Sequence, residues 1–241
     1  MDTISNSNFD GIVSEEGIGF SSEWEILYKA GTHHSIWPWS DIVRLCERYV
    51  RPRLRLLAEP LVLEIGCGFG ANIPYLITLG HYFGIDGSST ALDANLIRFP
   101  ELKGRLKVVD FTRELGFESK FDVICDRASI THNSDNQIRN CIGLVRDSLK
   151  VGGLFVGVVW FSKVHSDYLK SVARVDNHTI TGVTQGQFDG VGLVHFTDEQ
   201  NLREILVGFD IIYLEHRVSN VIIPGNDSVN AFYNLVAIRR S

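Results

Sequence analysis

A ten-residue stretch, Leu61–Gly70 (LVLEIGCGFG), decides the fold class of this 241-residue chain. Its first five residues form an apolar run of strand length, and Gly66, Gly68 and Gly70 follow at alternate positions. Glycine lets the backbone adopt positive φ and lets a ligand approach the chain closely. Because a helix pattern follows over 73–79, the stretch predicts a strand, a glycine turn and a helix whose N-terminus faces a ligand.

The same alternation of strand and helix patterns continues along the chain. Further strand-like apolar runs lie at 82–86, 106–110, 121–126 and 154–161, and helix patterns lie at 41–51, 88–97, 138–149 and 197–206. Two β-rich runs, 209–221 and 231–239, close the sequence with only the turn-like 224–228 between them, which predicts antiparallel pairing. We therefore expect an α/β fold with a doubly wound, mostly parallel seven-stranded sheet and an antiparallel C-terminal hairpin.

Length favours one domain over residues 1–241, since single cores grow up to ~250–300 residues. Residues 1–20 are polar and acidic and are interpreted as a loose arm. Residues 21–55 are interpreted as an N-terminal helical cap, with a helix packed on the sheet edge as the alternative. The polar, glycine-rich segment 162–195 is interpreted as a substrate-side insertion, with a surface loop as the alternative.

Charge and cysteine content limit the classes of partner. A formal net charge of −6 gives no sign of the positively charged surface that nucleic-acid binding requires. Four cysteines, none in a C-x-x-C pair, are typical of a reducing compartment. No apolar run approaches the ~18 residues of a membrane span. We expect a cytoplasmic protein with neither a nucleic acid nor a membrane as partner.

The residues that end the second and third strands predict a nucleoside-containing ligand. Ligands of open α/β sheets bind beyond the carboxyl ends of the strands. Asp86 can accept hydrogen bonds from two ribose hydroxyls. Asp110 can accept from an adenine amino group, with Phe111 as an apolar wall.

The glycine loop alone leaves two classes of cofactor open. Gly66, Gly68 and Ala71, with Asp86 about 20 residues on, also satisfy the dinucleotide pattern G-x-G-x-x-G/A. Glu64 lies two residues before the first glycine, where its charge would repel a pyrophosphate but can pair with an ammonium group. An NAD-dependent reductase is therefore the alternative and not the first interpretation.

Four segments together resemble class I S-adenosylmethionine-dependent methyltransferases. Residues 62–70 resemble motif I of this family, E-x-G-x-G-x-G. Residues 84–86 resemble its ribose contact, and residues 109–111 resemble its adenine contact. Residues 149–154 (LKVGGL) resemble the family's segment that leads into the fifth strand. The resemblance implies S-adenosyl-L-methionine as cofactor, with Glu64 and the glycines at its methionine end. The cofactor-binding residues it implies are Glu64, Gly66, Cys67, Gly68, Gly70, Asp86, Gly87, Asp110, Phe111 and Arg127.

The segment after strand four, 126–133 (DRASITHN), bears on the methyl acceptor. It lacks the Asn-Pro-Pro-Tyr and Pro-Cys motifs of methyltransferases that act on amino groups of adenine or glutamine, or on pyrimidine carbon. Arg127 and His132 resemble the corresponding end in small-molecule methyltransferases. This implies transfer to an oxygen or nitrogen of a small molecule, and a faint likeness of the Trp-rich N-terminal region to enzymes of surface-sugar synthesis makes a sugar one candidate.

His132 is predicted as the general base, with His165 as the next candidate, and a packing role is the alternative for His132. Trp37 and Tyr168 are predicted to contact the acceptor. No metal is predicted, although Asp126 with 176–177 or 135–136 would offer the oxygen ligands of a catechol-type enzyme. A cofactor-binding module without turnover is the rival from outside the enzymes.

Overall fold

The computed structural model describes residues 22–171, 173–223 and 228–241. The expected arm at 1–20 lies outside these ranges, as does most of the expected turn at 224–228. The helices are α1 (Ser22–Lys29), α2 (Ser40–Leu45), α3 (Arg51–Leu54), α4 (Ile73–Leu76), α5 (Ser89–Arg98), α6 (Asp135–Ser148), α7 (Ser166–Lys170) and α8 (Glu199–Ile205). A π-helical turn (Cys46–Val50) joins α2 to α3. None of the helices in the described ranges is long and apolar enough to cross a membrane.

Seven strands form the main sheet. They are β1 (Leu61–Ile65), β2 (His81–Asp86), β3 (Leu106–Val108), β4 (Phe121–Arg127), β5 (Leu149–Phe161), β8 (Phe209–Asn220) and β9 (Val229–Arg239). The strand order is β3-β2-β1-β4-β5-β9-β8, in which β1 to β5 run parallel and β9 is antiparallel to both its neighbours. This confirms the expected doubly wound sheet with a C-terminal hairpin. Strands β6 (Thr179–Ile180) and β7 (Val194–His195) form a separate small sheet.

Both faces of the parallel sheet are buried, which explains why its strands read as continuous apolar runs. In β1, Leu63 and Ile65 belong to the hydrophobic cluster on one face, and Val62 belongs to the cluster on the other. With both faces covered, a ligand can reach the sheet at an edge, and ligands of open α/β sheets bind beyond the carboxyl ends of the strands, here those of β1 to β5.

Several predicted boundaries are wrong, including the end of α4, which lies at Leu76 and not at residue 79. Helix α6 begins at Asp135, not at residue 138, because Ser134 and Gln137 form a capping box that satisfies the first backbone N–H groups. Strand β5 begins at Leu149, not at residue 154, and it contains the Gly152-Gly153 pair expected to separate helix from strand. The pair makes an irregularity in the β4–β5 pairing without ending it.

Candidate active site

A cavity of about 860 Å³ lies at the carboxyl edge of the parallel sheet. The predicted cofactor residues that line it are Glu64, Gly66, Cys67, Gly68, Asp86, Asp110, Phe111 and Arg127. His132, five residues after Arg127 in the sequence, also lines the cavity. The structure thus brings the ends of four strands to one site, as the strand pattern predicts.

The glycine loop has the backbone shape that its sequence predicts. Gly66 and Gly68 have φ values of 63° and 49°, a region that residues with a Cβ rarely adopt. A Cβ at Gly66 would overlap the Ser129 side chain. The backbone N–H of Cys67 donates to the Ile85 carbonyl at 3.0 Å, which anchors the loop to β2. The loop is therefore a cradle that any larger side chain would fill.

Gly70 and Gly87 support the site from outside the cavity lining. Gly70 has a φ of 72°, and a Cβ there would overlap the Asn95 amide, whose Nδ2 donates to the Gly68 carbonyl. The backbone of Gly87 hydrogen-bonds to the Asp86 carboxylate. Both residues therefore shape groups that line the cavity.

Asp86 ends β2 as a buried carboxylate. It accepts hydrogen bonds from the backbone N–H of Gly68 at 2.8 Å and of Ser88 at 2.9 Å. Burial raises its pKa to about 6. This group joins the glycine loop to the start of α5 and presents a carboxylate where ribose hydroxyls are expected.

Glu64 is the acidic group of the glycine loop. It accepts hydrogen bonds from Asn72 Nδ2 at 2.8 Å and from the Tyr82 hydroxyl at 2.6 Å. Burial raises its pKa to about 7. A cation bound beside it would favour the ionised form, because an opposite charge lowers a carboxyl pKa.

Arg127 places a buried cation in the same cavity. Its guanidinium carbon lies 3.7 Å from the centre of the Trp39 ring, and its Nε has no hydrogen-bond partner among the described residues. Burial lowers its pKa to about 10, so that it stays charged at neutral pH. The backbone N–H of Trp39 donates to Asn72, which in turn donates to Glu64. Hydrogen bonds thus connect Glu64 to the residue whose ring lies against Arg127, and the cavity contains both the acid and the cation that a zwitterionic amino acid group requires.

The other end of the expected cofactor site is formed by Asp110 and Phe111. Asp110 Oδ1 accepts from the Thr112 backbone at 3.0 Å and from its hydroxyl at 2.6 Å. Its other oxygen lies 3.3 Å from Arg113 Nε. Phe111 is buried beside it and lines the cavity. The pair offers a hydrogen-bond acceptor next to an apolar wall, which suits an adenine ring. Glycine cradle, ribose acceptor, adenine wall and charged end together fit S-adenosylmethionine.

His132 lies at the boundary of this site with a defined tautomer. Its Nδ1 is 3.1 Å from the Leu193 carbonyl, which can only accept, so Nδ1 carries the proton and Nε2 has the lone pair. Its ring meets the Trp24 ring edge-on at 4.8 Å. Burial lowers its pKa to about 4, which leaves it neutral at physiological pH.

Asp126 fixes the turn that carries His132. Its Oδ1 accepts from the backbone N–H groups of Ser129 and Ile130, both at 3.1 Å. Its Oδ2 accepts from Trp160 Nε1 at 2.8 Å. With both oxygens used inside the protein and no exposure, Asp126 is a positioning residue and not the metal ligand considered above.

Helix α1 closes one side of the cavity. Glu25 accepts hydrogen bonds from Ser88 and Thr90 at the start of α5, the latter at 2.7 Å. The Tyr28 ring packs edge-on against Phe69 of the glycine loop at 5.0 Å. These contacts tie the N-terminal region to the cofactor residues. Its action as a cap during turnover stays a prediction.

Three residues predicted to act on the methyl acceptor do not line the cavity. Trp37 is 77% exposed, and its neighbour Trp39 takes the position over Arg127. His165 is the N-cap of α7: its Nδ1 accepts from the Asp167 backbone, and its Nε2 lies 2.9 Å from the Gln187 amide. The Tyr168 hydroxyl donates to the Asn177 carbonyl.

Residues that sequence analysis did not select complete the lining. The most important are Asn72, Val159, Phe161, Gln187, Val191, Asn230 and Phe232. Phe161 ends β5 and had the same kind of signal as Asp86, a residue at the carboxyl end of a parallel strand. The others come from distant segments, and no local pattern indicates them.

The described residues contain one group with the side-chain types of a metal site, namely Asp135, His178 and His195. None of the three lines the cavity. Asp135 already accepts from His195 Nε2 at 3.0 Å and from Arg139 Nε at 2.7 Å. Metal-independent transfer stays a prediction.

Comparison with known proteins agrees with the geometry. Residues 62–153 match the family model described as "Methyltransferase domain". None of the curated protein sequences matches the chain significantly. The fold is similar to a SAM-dependent methyltransferase from Methanosarcina mazei, with a TM-score of 0.60 and 21% identity over 80% of this chain and 98% of that one.

Two further solved structures have the same fold. A S-adenosylmethionine-dependent methyltransferase from Clostridium acetobutylicum gives a TM-score of 0.59 at 15% identity, over 90% of this chain and 96% of that one. The glycopeptide N-methyltransferase MtfA, complexed with sinefungin, gives 0.57 at 16% identity, over 87% and 89%.

Fold and site together fit the class I S-adenosylmethionine-dependent methyltransferases. The sheet has the topology of this class, and residues 62–153 match its methyltransferase domain. This confirms the resemblance seen in the sequence and supports S-adenosylmethionine as the cofactor.

The raised pKa of Glu64 predicts a pH-dependent cofactor affinity. If its carboxylate pairs with the ammonium group of S-adenosylmethionine, binding must release the proton that Glu64 carries below its pKa of about 7. We expect Kd to rise as pH falls from about 7.5 to about 6, approaching about tenfold per unit. Calorimetric titrations across this range measure it.

Glu64→Gln is the matched variant for this experiment, because the amide keeps the shape of the side chain and removes its titration. Its Kd should be higher at pH 7.5 and nearly constant down to pH 6, where Asp86 begins to contribute. A wild-type Kd that does not change with pH would show that Glu64 makes no ionic contact with the cofactor.

Proposed function

We propose that this methyltransferase acts on an oxygen or nitrogen atom of a small molecule. The observation that carries the proposal is the shared lining: one cavity contains the cofactor residues and, beyond Arg127, a space bordered by His132. Its volume of about 860 Å³ lies toward the upper part of the ~300–1,000 Å³ range of small-molecule sites. The cavity therefore suits a cofactor together with a small acceptor.

S-adenosylmethionine, when bound, supplies a methyl group already activated on a sulfonium. The protein's residues have three tasks around it. The loop, Asp86 and Asp110 fix its position, so that proximity to the acceptor supplies much of the rate. Trp24 and Tyr28 of α1, together with Phe188, line the cavity and would shield a bound cofactor from water. His132 Nε2 holds a lone pair that can accept the proton of an acceptor hydroxyl.

The two rivals are distinguishable. A binding module without turnover would bind the cofactor equally well and leave every acceptor unmodified. An NAD-dependent reductase would need a pyrophosphate beside the Glu64 carboxylate, which opposes an anion. The buried cation of Arg127 in the same cavity favours an amino acid group instead.

The test is transfer of radiolabel from methyl-labelled S-adenosylmethionine to a small-molecule extract. Asp126→Asn is unsuitable as a control because it disturbs the turn, so the control is Asp86→Ala, which should weaken cofactor binding by about 1.5–3 kcal/mol. At a cofactor concentration near the wild-type Kd, we expect label in the small-molecule fraction with wild type and much less with Asp86→Ala. Label confined to protein or nucleic acid, or no transfer while the cofactor binds, would contradict the proposal.

A further inference from the structure

The part of the cavity beyond Arg127 has a distinct composition. We call it the acceptor half, and its apolar walls are Trp24, Val159, Phe161, Phe188, Val191 and Phe232. Phe161, Phe188 and Val191 belong to the hydrophobic cluster of the 162–195 segment, so these walls are backed by packed side chains. Four of the six walls are aromatic.

The aromatic walls are held in fixed relative positions. The rings of Phe161 and Phe188 meet edge-on at 4.7 Å, and His132 meets Trp24 at 4.8 Å and Phe161 at 6.0 Å. Phe232 is the cross-strand partner of Phe161 on β9. Fixed aromatic rings bind a planar ring by stacked or edge-on contacts, which add ~0.5–1.5 kcal/mol per pair beyond area burial.

Val159 shows that the backbone is shaped for this surface. It has a φ of 59°, which is a strained conformation for a β-branched residue, and it lies at the irregularity in the β5–β9 pairing. Its backbone N–H is satisfied by Asn234 Oδ1 at 3.0 Å. The irregularity keeps Val159 in the cavity lining while Trp160 reaches Asp126.

Few side chains of the cavity lining are charged. The charged side chains of the lining are Asp41, Glu64, Asp86, Asp110 and Arg127. Asp41 is paired with Arg44 at 3.2 Å and Arg217 at 3.0 Å. Arg127 is the one Lys or Arg in the lining among the described residues, and the Trp39–Asn72–Glu64 chain places it at the end suited to the amino acid group.

The described lining offers one cation, Arg127, which we assign to the carboxylate of the cofactor. An anionic acceptor would then have no cation of its own, and burial of an unpaired charge is strongly unfavourable. A sugar would bring many hydroxyls, whereas few polar side chains accompany the walls of the acceptor half: His33, His132, Gln187 and Asn230. Each buried hydroxyl left without a partner costs ~1–3 kcal/mol. The sugar candidate from sequence analysis is thus disfavoured.

We propose that the methyl acceptor is an uncharged planar aromatic compound whose hydroxyl faces Nε2 of His132. This inference rests on the proposed function. In the reaction an O–CH₃ bond forms as the S–CH₃ bond breaks, and the hydroxyl proton moves to His132 and then to solvent. The neutral thioether S-adenosylhomocysteine is the leaving group, so atoms and charge balance.

The test compares three probes of graded chemistry on the full chain saturated with S-adenosylhomocysteine. They are 2-naphthol, its carboxylated analogue 6-hydroxy-2-naphthoate, and methyl glucoside. Calorimetry should give a Kd for 2-naphthol at least about tenfold lower than for either other probe, since a tenfold difference corresponds to about 1.4 kcal/mol. Methylated 2-naphthol should be detectable by mass spectrometry when S-adenosylmethionine replaces the product.

Two variants test the charge argument without disturbing the core. Asn230 lies at the exposed rim, so Asn230→Lys adds a cation there and should improve binding of the naphthoate relative to 2-naphthol. Val218→Lys, on the exposed β8 strand outside the cavity lining, is the matched control and should leave the ratio unchanged.

The outcomes separate the two proposals. One outcome is that S-adenosylhomocysteine binds but 2-naphthol binds no better than the glucoside, or that neither probe binds detectably. This would overturn the aromatic assignment, while methyl transfer to another small molecule would still stand. Tighter binding of the naphthoate by the wild type, lost in Arg127→Met, would assign Arg127 to an acidic acceptor and overturn it too. Failure of S-adenosylhomocysteine to bind would overturn the proposed function itself.

Discussion

Gly66→Ala is expected to raise the Kd for S-adenosylmethionine by about 100-fold or more, equivalent to about 2.7 kcal/mol. The new Cβ would overlap the Ser129 side chain, and the residue would have to keep a φ of 63°. Relief of the overlap moves either the loop or the turn at the end of β4. The loop and the turn both carry cofactor-binding groups, so the substitution should lower cofactor affinity as well as stability.

Gly104→Ala is the matched control, measured by the same titration and by thermal unfolding. Gly104 has a φ of 83°, and a Cβ there meets nothing within 4 Å. It precedes β3, at the sheet edge opposite the cavity. Its variant should lose ~1–2 kcal/mol of stability from backbone strain and bind the cofactor normally. Wild-type affinity in Gly66→Ala, or an equal loss of affinity in both variants, would show that the loop is not the cofactor cradle.

His132→Ala is expected to lower kcat by ~10²–10⁴-fold, the span for a lost general base. The Kd for S-adenosylhomocysteine should change little, because His132 borders the acceptor half. The structure supplies the physical reason: Leu193 fixes the proton on Nδ1 and leaves Nε2 as the acceptor. Because burial lowers the pKa of His132 to about 4, kcat at saturating cofactor should stay constant down to about pH 5.

His165→Ala is the companion variant. His165 was the second candidate base, but the structure uses it to cap α7 and keeps it outside the cavity lining. It should lower the melting temperature and leave kcat within a few-fold. Full turnover in His132→Ala would mean that positioning alone suffices for transfer, and a large loss in His165→Ala alone would move the base to that residue.

The cofactor half could be predicted from the sequence because its determinants are local. The strand–glycine–helix unit at 61–79 fixes the loop, and Asp86 and Asp110 follow directly after short apolar runs. Parallel pairing then brings all strand ends to one edge. The start of α6 was predicted three residues too late, because the capping-box spacing of Ser134 and Gln137 was not used.

The acceptor half could not be predicted in the same way because contacts distant in sequence build it. Trp37 and Trp39 are equivalent in the sequence, and only packing against Arg127 selects Trp39. Asp126 resembled an available ligand, yet Trp160, 34 residues later, occupies one of its oxygens. Phe188 reaches the cavity through the packing of the 162–195 segment, which has no periodic pattern.

The central claim is that the carboxyl edge of this sheet binds S-adenosylmethionine. The most direct measurement is calorimetric titration of the chain with S-adenosylmethionine and with NAD, supported by melting temperatures. We expect one S-adenosylmethionine per chain and a stabilisation of about 2.7 kcal/mol at a ligand concentration near 100 times Kd, with no effect of NAD. Binding and stabilisation by NAD, with none by S-adenosylmethionine, would contradict the assignment of the glycine loop, Glu64 and Arg127 to a methyl donor.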